Sequence, residues 1–205
     1  MTNHVSLTMM PYQSLMKKSI YLVLFTIITF ISGYTLAETV VPKSYVFKDD
    51  GSIPNNHLPV LIYQHVFTQK GDTGATWLEK TFAQNNWTNS WRWTIYPYHH
   101  YHSNTHEVLG VYAGNATVQL GGEKGQKFNI SAGDVIILPA GVGHKLLKSS
   151  NDFHVVGAYP NGLSPDLMRG LPNERPAADQ HIKKVSIPAQ DPLYGSNHGL
   201  TKIWK

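Results

Sequence analysis

Between Tyr96 and Gly114 the chain reads YPYHHYHSNTHEVLGVYAG, which puts His99, His100, His102, His106 and Glu107 within nine residues. Imidazoles and carboxylates bind divalent transition metals without sulfur, and they also move protons near neutral pH. Spacing separates the members of the group. In extended backbone alternate side chains share a face, so His100 and His102 look one way while His99 and Tyr101 look the other. Two imidazoles side by side can grip one ion. Glu107 follows a Ser103-Asn104-Thr105 turn and opens the next strand, where its carboxylate can close on the same ion. His106 should then point away from it. An isolated His-x-His reads more readily as a solvated hairpin whose histidines merely titrate. A second stretch, GDVIILPAGVGHKL from Gly133 to Leu146, bears on that choice. There a strand apolar on both faces, Val135 to Leu138, meets a Pro-x-Gly turn, and His144 follows on the return.

These residues need a scaffold of strands. Trp91 to Tyr96 is aromatic and β-branched, and Glu107 to Val111 and Ala116 to Leu120 are short apolar runs separated by Gly114-Asn115, a pair suited to a tight turn. Gly121-Gly122-Glu123-Lys124-Gly125 is a second hairpin loop. Phe128 to Ile130, Asp134 to Leu138, Lys145 to Leu147 and Phe153 to Tyr159 continue the series. Many short strands at even spacing with Gly and Pro turns predict an all-β sandwich or double-sheet barrel. Upstream, Ala75 to Asn86 places Trp77, Leu78, Phe82 and Ala83 on one face at helical spacing, a short amphipathic helix. Val60 to Phe67 alternates so weakly that it reads as an edge strand or a wrapped arm. The organisation is therefore a leader or anchor at 1–37, an N-terminal arm with a short helix at 38–90, a barrel core at 91–160, and a Pro-rich extension at 161–205 that wraps the barrel or pairs with a neighbouring subunit.

The two histidine stretches together follow His-x-His-x4-Glu-x6-Gly and, eighteen residues later, Gly-x5-Pro-x-Gly-x2-His, carried by His100, His102, Glu107 and Gly114 and by Gly133, Pro139, Gly141 and His144. All eight positions match the paired motif of the cupin superfamily, which this chain resembles. The resemblance extends through WRWTIYPYHHYHSNTHEVLGVYAG, LGGEKGQ, AGDVIILPAGVGH and VVGAYPNG to the YjlB-like group of small bacterial cupins, from about Trp77 to the C-terminus. It implies a jelly-roll barrel, metal ligands at His100, His102, Glu107 and His144, and the strand-exchanged homodimer that cupins often form. It implies no substrate. Lys148 departs from the polar residue, often Asn, that usually stands four positions after the second motif's histidine, and it touches no ligand position.

Three imidazoles and a carboxylate form a borderline-to-hard donor set that suits Fe(II), Mn(II), Ni(II), Co(II) or Zn(II). An octahedral ion on four protein ligands keeps two positions for a small oxygen-rich molecule, or for one substrate oxygen with water or dioxygen. Two classes follow: a metal-dependent oxidoreductase, isomerase or decarboxylase, and a non-catalytic protein that captures a sugar or carboxylate around a structural metal. A general acid or base within reach of the ion favours the first, and an aromatic-lined pocket without one favours the second. No catalytic residue is assigned. His154, His181 and His198 are isolated and read as surface residues. No Gly-rich phosphate loop, Gly-x-Ser-x-Gly elbow or helix-turn-helix domain competes with the metal motif.

Composition bounds the rest. With 17 Lys and Arg against 13 Asp and Glu among 205 residues, and no basic block, a nucleic-acid or anionic-membrane partner has no support beyond the pI. The absence of cysteine excludes disulfides, a thiol nucleophile and zinc-thiolate sites. Lys17-Lys18, an apolar run from Ser19 to Ile31 and a small-residue end at Ala37 read as a secretory signal, with initiation at Met16 giving a leader of ordinary length. The same uncharged stretch from Ser19 to Ala37 is just long enough for an uncleaved anchor, the one membrane contact the sequence suggests. Either way the folded domain is expected outside the cytoplasm, periplasmic or extracellular.

Overall fold

The computed structural model describes residues 1–2 and 40–205, so the signal or anchor expected at 1–37 lies, but for its first two residues, outside them. Among the described residues nine strands form two antiparallel sheets: β1 (Lys43–Phe47), β2 (Asn56–Tyr63), β3 (Trp87–Trp93), β4 (Glu107–Ala113), β5 (Asn115–Leu120), β6 (Gln126–Ser131), β7 (Val135–Leu138), β8 (His144–Ser149) and β9 (His154–Pro160). The large sheet runs β1-β2-β7-β4-β9-β3 and the small one β6-β5-β8. The fold is an all-β jelly roll.

The strand sequences explain the layering. Ile136 and Leu138 of β7 pack with Val60, Leu109, Val118 and Leu120 between the two sheets. Their neighbours Val135 and Ile137 face outward and pack with Leu61, Val108, Val156 and helix α1 (Gly71–Gln84). A strand covered on both faces loses the apolar-polar alternation that half-buried strands show. That is why residues 60–67 alternate so weakly. Instead of an edge strand or arm, β2 is an interior strand between β1 and β7, with Val60 and Ile62 facing the barrel and Leu61 and Tyr63 facing out. The barrel therefore draws on strands well before residue 91.

Helix α1 starts earlier than its apolar spacing suggests and ends at Gln84, before Asn86 turns the chain at φ +66° into β3. Gly74, Ala75, Leu78 and Phe82 are its buried residues, Trp77 packs at the margin against Phe67, and Ala83 is exposed. Each large apolar side chain buried there stabilises the fold by about 1.5–3 kcal/mol.

Residues 161–205 pack on the barrel at two places. Helix α2 (Ala177–Ile182) covers Tyr101 through Ala178, and Leu200, at the start of α3 (Leu200–Ile203), joins Trp204 in the outer core. Asp191, fully buried, fastens the tail. Its carboxylate accepts hydrogen bonds from the Tyr63 hydroxyl at 2.6 Å, from Leu200 N–H at 2.8 Å, and from Leu193 and Tyr194 N–H at 2.8 and 3.1 Å. Among the described residues no helix is long and apolar enough to cross a membrane.

Candidate metal centre

Glu107 begins β4 opposite Leu138 of β7, and alternation along β4 sends Glu107, Leu109 and Val111 into the barrel while Val108 faces α1. The histidines arrive by backbone pairing. His100 and His144 form an isolated antiparallel bridge, with His100 N–H donating to the His144 carbonyl at 3.2 Å and the reverse bond at 2.9 Å. Gly141 N–H donates to the His102 carbonyl at 2.8 Å, tying the Pro139-Ala140-Gly141 turn to the first motif. That turn needs glycine: Gly141 has φ +86°, and a Cβ there would lie 2.7 Å from the Asn55 carbonyl oxygen. Residues 99–102 are not a continuous strand, yet the expected alternation holds. Tyr101 turns outward to bridge Met168 and donates its hydroxyl to Glu174 at 3.2 Å.

The three buried imidazoles His100, His102 and His144 each offer a ring nitrogen within 4.8 Å of the others, a cluster that could hold a metal ion. Glu107 Oε2 lies 3.2 Å from His144 Nε2 and 3.5 Å from His102 Nε2. Donors that hold one ion at 2.0–2.2 Å stand about 3–4 Å apart, so these separations fit a shared cation. The tautomers fit as well. His100 Nδ1 faces the Tyr98 carbonyl at 3.3 Å, His144 Nδ1 the Val142 carbonyl at 3.2 Å, and His102 Nδ1 is bonded to the Asp166 carbonyl. Carbonyls only accept, so each Nδ1 carries a proton and each Nε2 is turned to the centre, where a neutral ring offers its lone pair.

Electrostatics points the same way. Glu107 is 3% exposed, and its Oε2 accepts no well-formed hydrogen bond despite the two nearby nitrogens. A buried carboxylate oxygen without a donor is costly unless a cation meets it. Burial pushes the Glu107 carboxyl pKa up, but the His102 and His144 rings more than offset this and hold it below the usual carboxylate range. His102 is the counterpart: burial opposes its charge, and Glu107 beside it holds the imidazole above its ordinary value. For His100, burial first and the neighbouring His144 second push the pKa down to about 2, which keeps that ring neutral.

Several groups that hold the site escape a reading of motifs. The Tyr159 hydroxyl on β9 donates to Glu107 Oε1 at 3.1 Å and accepts from the Trp91 indole N–H at 2.8 Å. Trp91 reaches it by packing against Gly157, where a Cβ would lie 2.2 Å from the indole Cε2 and Cζ2. Asp166, from the extension, gives its carbonyl to His102 and its carboxylate to Ser103, accepting from Ser103 N–H at 2.6 Å and from the Ser103 hydroxyl. His181, expected as an isolated surface histidine, is exposed but touches the Ser103 hydroxyl through Nδ1 at 3.1 Å. His154 and His198 are exposed.

The remaining histidines of the first motif leave the centre. His106 is 1% exposed on the outer face of the barrel, its Nδ1 accepting from Ala140 N–H at 3.0 Å and its ring 4.8 Å from that of Trp204. Burial lowers its pKa to about 4. His99 points toward the β5–β6 hairpin, with Nε2 3.3 Å from Glu123 Oε1.

A cavity of about 330 Å³ opens over His100, His102, Glu107 and His144, walled by Trp91, Trp93, Tyr96, Leu109, Tyr159 and Leu167 among others. A larger cleft of about 880 Å³ lies elsewhere, between β1, residues 54–58 and α2; its one arginine, Arg175, is spent on salt bridges to Asp49 and Asp179. The histidine cluster that could hold a metal is in the smaller cavity.

Comparison with known proteins gives matching outlines. A family model of the cupin domain matches residues 93–156. The uncharacterized protein YjlB of Bacillus subtilis (strain 168) is 47% identical over 163 residues, spanning 79% of this chain and 96% of that protein. Among solved structures, a DUF861-family protein from Thermotoga maritima is 20% identical with a TM-score of 0.32, covering 48% of this chain and 96% of its own. Acireductone dioxygenase from Bacillus anthracis, solved with a cadmium ion in its active centre, is 15% identical with a TM-score of 0.34, covering 52% of this chain and 82% of its own. At those scores neither structure bears on the chemistry of this chain.

Proposed function

From the premise that the chain belongs to the cupin superfamily, in the group of YjlB, we propose that His100, His102, Glu107 and His144 hold one divalent transition metal ion at which a small oxygen-bearing molecule is bound and transformed. The observation that carries this reading is the orphaned Glu107 Oε2, buried and facing two imidazole nitrogens whose opposite ring atoms are pinned to backbone carbonyls. The donor set suits Fe(II), Mn(II), Ni(II), Co(II) or Zn(II). When bound, such an ion supplies a Lewis acid that polarises an oxygen of the ligand, the common requirement of oxidation, isomerisation and decarboxylation. The chain's own residues do the positioning. Tyr159 holds Glu107 Oε1 so that Oε2 stays turned to the histidines, and burial keeps the Tyr159 phenol protonated by raising its pKa well above the usual range. The Tyr98, Val142 and Asp166 carbonyls fix the rings, and the aromatic walls exclude water from the ligand.

Metal content of the protein purified without added metal tests the reading. Wild type is expected to carry close to one transition metal ion per chain, and His100→Ala and His144→Ala to carry almost none. A wild-type protein free of transition metal, and unable to take one up, sinks it.

A second reading, capture without turnover, is favoured by one feature: Asp166 and Tyr159, two of the three acid-base side chains that line the pocket beside the proposed ligands, are committed, the third being Tyr96. Both Asp166 carboxylate oxygens accept from Ser103, and the Tyr159 proton goes to Glu107. Recovery of every bound ligand unchanged after prolonged incubation with loaded protein would decide for capture.

The proposal also puts the folded domain outside the cytoplasm, on the strength of the basic-apolar-small pattern at residues 16–37. Cell fractionation with N-terminal sequencing checks it; a cytoplasmic chain with its N-terminal segment intact would count against export.

A further inference from the structure

The walls of the pocket select among oxygen-bearing ligands, an inference that rests on the metal reading above. We infer that the ligand is a planar aromatic or conjugated molecule offering one chelating pair of oxygens with a single negative charge, the class of salicylates, catechol monoanions and conjugated enolates.

Three observations carry this. The first is the wall itself. Trp91, Trp93, Tyr96 and Tyr159 line the cavity with Leu109 and Leu167; beyond the proposed ligands and the two phenols its polar side chains are Thr94 and Asp166, and among the described residues no Asn, Gln, Ser, Lys or Arg lines it. Sugar hydroxyls need a larger set of polar partners than Thr94 and Asp166 provide, whereas a ring gains from stacking and edge contacts on indole and phenol faces. Trp93 stands edge-on to Tyr96 with ring centroids 5.3 Å apart and is 51% exposed, so a ring laid against it would remove apolar surface from water.

The second is charge. A divalent ion with ionised Glu107 leaves one positive charge in the centre. Asp166 also lines the pocket, and Arg169, the arginine next along the same segment, is spread over the Tyr98 ring at 4.2 Å instead of lining it. A monoanion balances that centre. A dianion such as oxalate, or phosphate, would leave uncompensated negative charge beside Asp166 with no cation to meet it. The third is size. About 330 Å³ is at the low end for ligand cavities, enough for a single substituted ring and too little for a nucleotide or a disaccharide.

Full-chain protein loaded with Co(II) provides the test, because the visible absorption of the ion reports a ligand entering its coordination shell. Salicylate, lactate, oxalate and inorganic phosphate are titrated separately, and metal content is measured after each titration so that stripping is not read as binding. Salicylate and lactate are both monoanionic chelators and differ in the ring; lactate and oxalate differ in charge. Salicylate is expected to bind at least about tenfold more tightly than lactate, with oxalate and phosphate weaker still. Trp93→Ala, a truncation at a half-exposed position, is expected to erase most of the salicylate preference at unchanged cobalt content. Oxalate, phosphate or lactate binding as tightly as salicylate overturns the inference, as does a Trp93→Ala protein that keeps the full preference. Failure to retain cobalt overturns the metal reading itself and the inference with it; retained cobalt without salicylate preference overturns the inference alone.

Discussion

Tyr159→Phe removes a single hydroxyl from the centre and leaves the ring that packs beside it. The lost group donates to Glu107 Oε1 at 3.1 Å and accepts from Trp91 Nε1–H at 2.8 Å. Trp91 is only partly buried, so its N–H can turn to water, but Glu107 is 3% exposed and its Oε1 has no substitute donor. A buried hydrogen bond to a charged acceptor is worth about 1.5–3 kcal/mol. At about 1.4 kcal/mol per decade, that is roughly a ten- to hundredfold loss of metal affinity, the range found when a partner that orients a metal ligand is removed. The assay is competition for Co(II) or Zn(II) against a chelator of known strength, with urea unfolding of the metal-free proteins run in parallel so that loss of fold is separated from loss of affinity. Glu107→Gln serves as the limit, since it removes the charge that the hydroxyl only steers. If Tyr159→Phe stays within about threefold of wild type while Glu107→Gln fails to bind, the hydroxyl does not hold the carboxylate. If Glu107→Gln binds as wild type does, the ligand set is three histidines and the argument from the orphaned oxygen is wrong.

Asp191→Ala is expected to cost at least about 4 kcal/mol in urea unfolding, because four donors including the Tyr63 hydroxyl lose a buried acceptor, and limited proteolysis should then cut within residues 192–205. Its failure to destabilise would mean that packing of Leu200 and Trp204 alone holds the tail. Arg175 is hydrogen-bonded to Asp49 at 2.5 and 2.9 Å and holds that carboxyl below its ordinary 3.8. A depressed carboxyl adds stability that is fully present above the unfolded pKa and lost as pH falls through the lower folded one. The stability gap between wild type and Arg175→Gln should therefore be present near neutral pH and close below 3.8, and at this half-exposed site it should not exceed about 1 kcal/mol. His106→Ala should destabilise by about 2–4 kcal/mol through a buried cavity and an unpaired Ala140 N–H, yet leave metal stoichiometry unchanged. Loss of metal from that variant at retained fold would return His106 to the centre.

What the sequence made legible and what it hid follow from the range of the interactions. The four ligand positions were legible because the features beside them are local, the left-handed Gly141 turn and alternation from Glu107 to Leu109, while the His100–His144 bridge that joins the two motifs is long-range and was marked only by the motif pair itself. Alternation also puts His106 on the face opposite Glu107, so adjacent residues divide between the outer core and the centre. Tyr159 was out of reach for a different reason. It stands beside Glu107 only through the β4–β9 register, in which Val108 faces Ala158, and a register between strands fifty residues apart is a property of the folded sheet. The interior place of β2 was hidden by the same burial that makes it interior, since periodicity vanishes when both faces are covered.

Asp166 carries this furthest. Nothing in a Pro-rich, weakly periodic tail marks one aspartate, yet its carbonyl meets His102 Nδ1 and its carboxylate clamps Ser103, the next residue. Asn104 extends the clamp, accepting from Asp166 N–H at 3.0 Å and donating to the Ser164 carbonyl at 3.0 Å. The extension therefore does two things: through Asp191 and Trp204 it seals the outer core, and through Asp166 it fixes the tautomer and direction of a ring in the centre. Fold stability and readiness for metal are thereby joined in one segment. Any change that frees residues 161–170 from Ser103 and Asn104 loosens His102 before it disturbs the barrel, because the strands that carry Glu107 and His144 are paired without it.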